Sequence, residues 1–114
     1  MTTATQGQVA ELAVAEKLGA QDYKVLDRNW KTKICEIDIV AQKGKVVYFV
    51  EVKYRLQSGQ GSGLEYITPK KLNQLKFAAR VWTQNYNWDG DYRIMGAEVS
   101  GPVYEHITLI EITE

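Results

Sequence analysis

The stretch from Glu36 to Arg55 reads E-I-D-I-V-A-Q-K-G-K-V-V-Y-F-V-E-V-K-Y-R. Two apolar, β-branched runs flank a K-G-K turn, which predicts a β-hairpin. Acidic residues stand inside both strands, where a core strand should avoid them. Side chains alternate between the two faces of a strand. Glu36 and Asp38 therefore share one face of the first strand, and Glu51, Lys53 and Arg55 share one face of the second. Val50 and Val52 point the other way, into a core. The expected hairpin is apolar on one side and carries carboxylates and an ammonium on the other. Such a surface suits a hard divalent cation, because Mg²⁺ takes a few carboxylate oxygens plus waters.

Working outward, 114 residues make one domain, 1–114, large enough to bury a core. With 45% hydrophobic and 25% charged residues, the composition is that of a water-soluble globule. No apolar stretch is long enough to span a membrane. The first ten residues lack the basic start and apolar run of a signal peptide. A single cysteine, Cys35, excludes an internal disulfide framework and fits a reducing cytoplasm. One cysteine and one histidine, His106, also argue against structural zinc. The net charge of zero lends nucleic-acid binding no global support, so any such binding must rest on local asymmetry.

A first helix is expected over Gln6 to Leu18, with Val9, Leu12, Ala13, Ala15 and Leu18 as its apolar stripe and Gly19 as its cap. Tyr23 to Trp30, Lys33 to Ala41 and Val46 to Tyr54 read as three strands. The loop S-G-Q-G-S-G, Ser58 to Gly63, follows. Thr68-Pro69 opens a second helix, with threonine suited to the N-cap and proline to the first turn. Its apolar face carries Leu72, Leu75, Ala79 and Trp82, and it runs to about Tyr86. Tyr92 to Val99 and Val103 to Ile112 close the chain as a pair of strands across Gly101-Pro102. The order α-β-β-β-α-β-β predicts an α/β fold, a mixed five-stranded sheet flanked by helices.

Asp38, then twelve residues, then Glu51-Val52-Lys53 is the pattern of metal-dependent phosphodiesterases. Two carboxylates bind Mg²⁺, which polarises a phosphate and activates water. The E-x-K spacing places a lysine beside them to orient the water or offset charge on the phosphorane. The competing reading is a solvated hairpin face with cross-strand ion pairs. Lys70, Lys71, Lys76 and Arg80 fall within eleven residues that contain no acid, which makes the second helix the candidate DNA-facing surface. Arg28 and Asn29 either contact phosphate or form an ordinary polar turn. Glu36 is either a supporting carboxylate or plain surface. Trp82, Tyr86, Trp88 and Tyr92 supply either an apolar patch for a homodimer or core.

The chain resembles the YraN-like family of predicted endonucleases, within the restriction-endonuclease-like (PD-D/E-x-K) superfamily. The resemblance spans nearly the whole chain and rests on G-Q-V-A-E-L-A (Gly7 to Ala13), D-R-N-W (Asp27 to Trp30), E-I-D-I-V (Glu36 to Val40), F-V-E-V-K-Y-R (Phe49 to Arg55) and I-T-P-K-K (Ile67 to Lys71). It implies a metal-dependent DNA endonuclease using Mg²⁺, with Mn²⁺ as a substitute. Asp38, Glu51 and Lys53 would be the catalytic set, and Glu11 on the first helix an additional metal ligand. Arg28, Arg55, Lys70 and Lys71 are the expected DNA contacts. Holliday-junction resolvases share the motif, so branched DNA and homodimerisation are implied by resemblance only. Three departures stand out. Cys35 replaces the glycine usual before E-I-D, Ala10 precedes Glu11 in place of glycine, and the late strand has no aspartate near Met95. The rival reading is a non-catalytic nucleic-acid- or protein-binding module that keeps the fold.

Overall fold

The computed structural model describes residues 4–55 and 67–112. The elements follow the expected order: α1 (Gln6–Ala20), β1 (Lys24–Lys31), β2 (Glu36–Lys43), β3 (Val46–Arg55), α2 (Pro69–Asn85), β4 (Asp91–Ser100) and β5 (His106–Ile112). The glycine- and serine-rich loop lies outside the described residues.

The five strands form one sheet in sequence order. Neighbours pair antiparallel except β3 and β4, which run parallel from Val46↔Asp91 to Arg55↔Ser100. A parallel pair needs a crossover, and α2 supplies its helix. The sheet is therefore mixed, as the element order predicts.

The hairpin reading needs one correction. It anticipates one apolar and one polar face, but helices cover both. Val50 packs with Ala10, Val14 and Leu18 of α1 and with Ile39, Ala41, Met95, Ala97 and Val99. Val47 and Phe49 point the opposite way, onto Leu75, Ala78, Ala79 and Trp82 of α2. Val50 and Val52 do enter a core, as expected. Most of β3 is thus apolar on both sides, and only its end, from Glu51 onward, keeps charge. Burying each such side chain contributes roughly 1.5–3 kcal/mol, so this central strand holds the two layers together.

Both helices begin with a threonine cap. Thr5 and Gln8 form a reciprocal capping box at α1. Thr68 Oγ1 accepts the Lys71 amide at 3.1 Å, with Pro69 in the first turn of α2. The α1 stripe differs from expectation. Ala10, Val14 and Leu18 are buried, while Leu12 is exposed. Apolar residues surround much of this helix, so periodicity gave its inner face poorly. Gly19 does not cap it either. The left-handed residue is Asp22, φ 70°, followed by a Tyr23 amide donating to Leu18 carbonyl at 3.0 Å.

The remaining boundaries shift for local reasons. The second strand starts at Glu36 rather than Lys33 because Thr32 organises a turn. Its hydroxyl accepts the Ile34 and Cys35 amides, each at 3.1 Å. The last strand begins at His106 because Gly101 (φ 97°) and Tyr104 (φ 59°) turn the chain after β4. Trp82 is core, whereas Tyr86 and Tyr92 are exposed; Tyr86 lies tilted against Trp82 and Tyr92 meets Phe49 edge to ring. Among the described residues, no helix is long and apolar enough to cross a membrane.

Candidate active site

The site lies where β2 and β3 part. Their ladder runs from Lys43↔Val46 to Ile39↔Val50, and Asp38 is the next residue on β2. Beyond the ladder, the Val52 amide needs a new acceptor. The Asp38 carboxylate provides it, accepting this N–H through Oδ2 at 2.8 Å. One loss of strand pairing thus fixes a carboxylate over β3. The alternation of β2 slips here as well. Ile37 and Val40, three residues apart, both pack toward α2.

Glu51 stands half-buried, one residue before Val52. Across the parallel ladder it faces Gly96, so no side chain crowds it from β4. Its Oε1 meets the Lys71 ammonium of α2 at 3.1 Å. Burial pushes the Glu51 carboxyl from 4.5 up to about 7, aided by the negative charge of Asp38, with Lys71 opposing. The attraction of Lys71 is real but does not outweigh the loss of water. Burial likewise raises Asp38, against the Val52 amide that holds it down. Glu36 is exposed, yet its charge raises both.

Glu11 approaches from α1. Its carboxyl is raised by burial and then by Asp38, while the Asn29 side chain, Arg28 and Lys31 hold it down. Its Oε1 is buried with no hydrogen-bond partner among the described residues. Asn29 reaches this position through a left-handed backbone, φ 52°, within the irregular β1. Three carboxyls on three elements are therefore all disfavoured as anions, and one has an oxygen to spare. That donor set fits a hard cation, which prefers carboxylate oxygens completed by water. The three are not drawn into a closed cage. Among the described residues, no three His, Cys, Asp or Glu side chains stand close enough to grip one ion together. Mg²⁺ itself commonly takes one or two carboxylates and completes its shell with waters.

The structure treats the expected cations differently. Lys53 lies two residues beyond Glu51 on β3, hence on the same face, and is exposed. The Lys71 ammonium acts on both Asp38 and Glu51, and that of Lys31 on Asp38. Arg55 is held by Glu98 of β4 at 3.0 Å. Glu98 is an acid that β4 carries beyond Met95, in a chain lacking the aspartate near Met95. Arg28 is exposed and its charge reaches Glu11. Lys70 and Lys71 border a groove of about 820 Å³ between the β1–β2 turn and the start of α2, together with Lys31, Lys33 and Glu36. Lys76 and Arg80 line a different hollow with Tyr92 and Arg93. The basic run of α2 is thus split between two surfaces, and only its first pair adjoins the carboxylates.

Sequence reasoning missed the roles of Lys31, Asn29 and the Lys71–Glu51 pair. The left-handed Asn29 had a weak signal, since asparagine is enriched in that conformation. The contact between Lys71 and Glu51 spans two elements and had none.

A mixed sheet flanked by helices, with acids at the fork of a central hairpin and E-x-K on its second strand, defines the restriction-endonuclease-like class. Residues 10–100 match the family described as "Uncharacterised protein family UPF0102". The chain belongs to this family, the YraN-like group of that superfamily. It is 37% identical to a UPF0102 protein of Fusobacterium nucleatum, over 82% of this chain and 78% of that one. A UPF0102 protein of Vibrio campbellii is 34% identical over 83% of this chain and 82% of its own length. One from a Sulfurihydrogenibium species is 34% identical over 94% of each chain.

Proposed function

We propose that this protein is a metal-dependent DNA endonuclease that hydrolyses phosphodiester bonds at the β2–β3 fork. The observation that carries this reading is the pair Asp38 and Glu51. Both are half-buried and raised in pKa at the end of a diverging hairpin, where two acids weaken a fold unless a cation is to be bound. Bound Mg²⁺ or Mn²⁺ would supply Lewis acidity toward a phosphate oxygen and a water of lowered pKa. Asp38 and Glu51 hold that ion, and Glu11 adds an acceptor from α1. The Val52 amide fixes the Asp38 carboxylate, so the seat is set before substrate arrives. Lys53 orients the attacking water and offsets charge as it grows on the phosphorane. The groove with Lys31, Lys33, Lys70 and Lys71 takes the phosphates flanking the scissile bond. Arg28 lies toward the α1 side of the same fork, and Arg55 is a reserve cation held by Glu98. A branched or otherwise structured DNA, a homodimer and a cytoplasmic setting belong to this proposal through the family resemblance.

The test is nicking of supercoiled, linear and four-way-junction DNA in Mg²⁺ or Mn²⁺, beside gel-shift binding in EDTA. Wild type should cut at least one substrate, and Glu51→Ala and Lys53→Ala should cut none. If wild type binds DNA, cuts nothing in either metal and behaves like Glu51→Ala, a non-catalytic binding module replaces this reading.

A further inference from the structure

We propose that Lys71 and the catalytic cation alternate on the Glu51 carboxylate, and that the displaced ammonium becomes a DNA-phosphate contact in the adjoining groove. This rests on the reading of Asp38 and Glu51 as the metal seat.

Four observations support the exchange. The Lys71 Nζ lies 3.1 Å from Glu51 Oε1, on an oxygen that the seat would use. A divalent cation on that carboxylate would stand within a few ångströms of the ammonium, and in a half-buried site the repulsion is strong. One of the two must leave. The Lys71 side chain is 37% exposed and that of Glu51 15%, so the lysine is the partner able to move.

Second, the location of Lys71 runs against local preference. It follows Lys70 in the first turn of α2, which contains no acid, although helix N-termini favour negative charge. Glu51 offsets that cost, so the pair explains a placement that propensity does not. Third, only the side chain has to swing. Thr68 Oγ1 holds the Lys71 amide at 3.1 Å, fixing the helix start, and the four-carbon stem is flexible. Fourth, the destination is built. Lys71 already lines the groove with Lys31, Lys33 and Lys70, where a polyanion would receive a freed cation.

Metal binding then releases a phosphate contact, and bound DNA draws Lys71 off the metal seat. The two ligands therefore strengthen one another, reciprocally. Such coupling would keep the seat masked until a substrate is present.

The test uses the full chain as wild type, Lys71→Ala, Lys71→Gln, Lys70→Ala and Glu51→Gln. Mn²⁺ binding is measured by calorimetry without DNA. Binding of a labelled four-way junction is measured by anisotropy in EDTA and in Ca²⁺. Both Lys71 variants should bind Mn²⁺ at least about fivefold more tightly than wild type. In EDTA, where Glu51 competes with the phosphates for the ammonium, their DNA affinity should fall by only about twofold. In Ca²⁺ it should fall at least about fivefold, with a salt slope shallower by about one. Lys70→Ala should lose affinity equally in both conditions. Equal loss in EDTA and Ca²⁺ for the Lys71 variants, or Mn²⁺ affinity no tighter than wild type, would overturn the exchange. Glu51→Gln separates the two levels. If it binds Mn²⁺ as wild type does, the metal seat itself is wrong and the exchange falls with it. If it loses Mn²⁺ while Lys71→Ala gains nothing, the seat stands and only the exchange fails.

Discussion

Replacing Glu51 with glutamine keeps the size of the side chain and removes its ionisation, so it isolates what the buried charge costs. Below about pH 4.5 the carboxyl is neutral in folded and unfolded chains alike. Between that value and about 7 the unfolded chain has lost the proton and the folded chain keeps it. Stability therefore falls as pH rises through this window and levels off above it. At about 1.4 kcal/mol for each pH unit, the ionised folded state is weakened by about 3 kcal/mol. The Glu51 side chain is only 15% exposed, so solvent screening trims this modestly. Glutamine also strands the Lys71 ammonium, but that partly exposed group costs less than about 1 kcal/mol. Glu51→Gln should therefore match wild type near pH 4 and exceed it by roughly 2–3 kcal/mol near pH 8.5. For a domain of this size that gain is on the order of 10 °C in Tm. The assay is urea unfolding in EDTA at several pH values between these limits. A stability gap that stays constant with pH, or widens toward acid, would refute the reasoning.

Two other perturbations have defined outcomes. Mn²⁺ affinity should climb as pH rises through about 7 and then level, because a protonated Glu51 must surrender its proton to bind; calorimetry in buffers of different ionisation heat would detect the released proton, and a flat affinity profile from pH 6 to 8.5 would count against Glu51 as a ligand. Trp82→Phe should cost about 1–3 kcal/mol in urea unfolding, because Trp82 Nε1 donates to the part-buried Asp27 Oδ2 at 3.0 Å and ties α2 to β1; a loss below about 0.5 kcal/mol would mean that water replaces the bond.

The parts of the fold legible in the chain were those with a strong local signature. Thr68-Pro69 announced α2, and Leu75, Ala79 and Trp82 marked its inner face correctly. The Gln42–Val47 turn region and the β-branched runs beside it gave the hairpin. What escaped was set by tertiary contact. The alternating run Val47 to Val50 is apolar at every position because two helices press on it from opposite sides, and no single-face reading distinguishes that from an amphipathic strand. In α1, apolar residues on several sides left Leu12 and Val14 indistinguishable until the sheet selected Val14. The site followed the same rule. Asp38 and Glu51 were visible because carboxylates in strands are rare enough to notice. The hydrogen bond from Val52 to Asp38, the approach of Asn29 to Glu11 and the ion pair between Lys71 and Glu51 each join two different elements. Each depends on where strands diverge and how a helix docks, which residue type and spacing do not encode.

The claim at the centre of this account is that the fork between β2 and β3 seats a divalent cation. Anomalous diffraction from a crystal grown with Mn²⁺ tests it most directly. The account predicts a peak between the Asp38 and Glu51 carboxylates, with the Lys71 ammonium moved off Glu51, and its disappearance in Asp38→Asn. A crystal with Mn²⁺ only at other acidic residues, or with the fork free of anomalous signal at saturating metal, would contradict it.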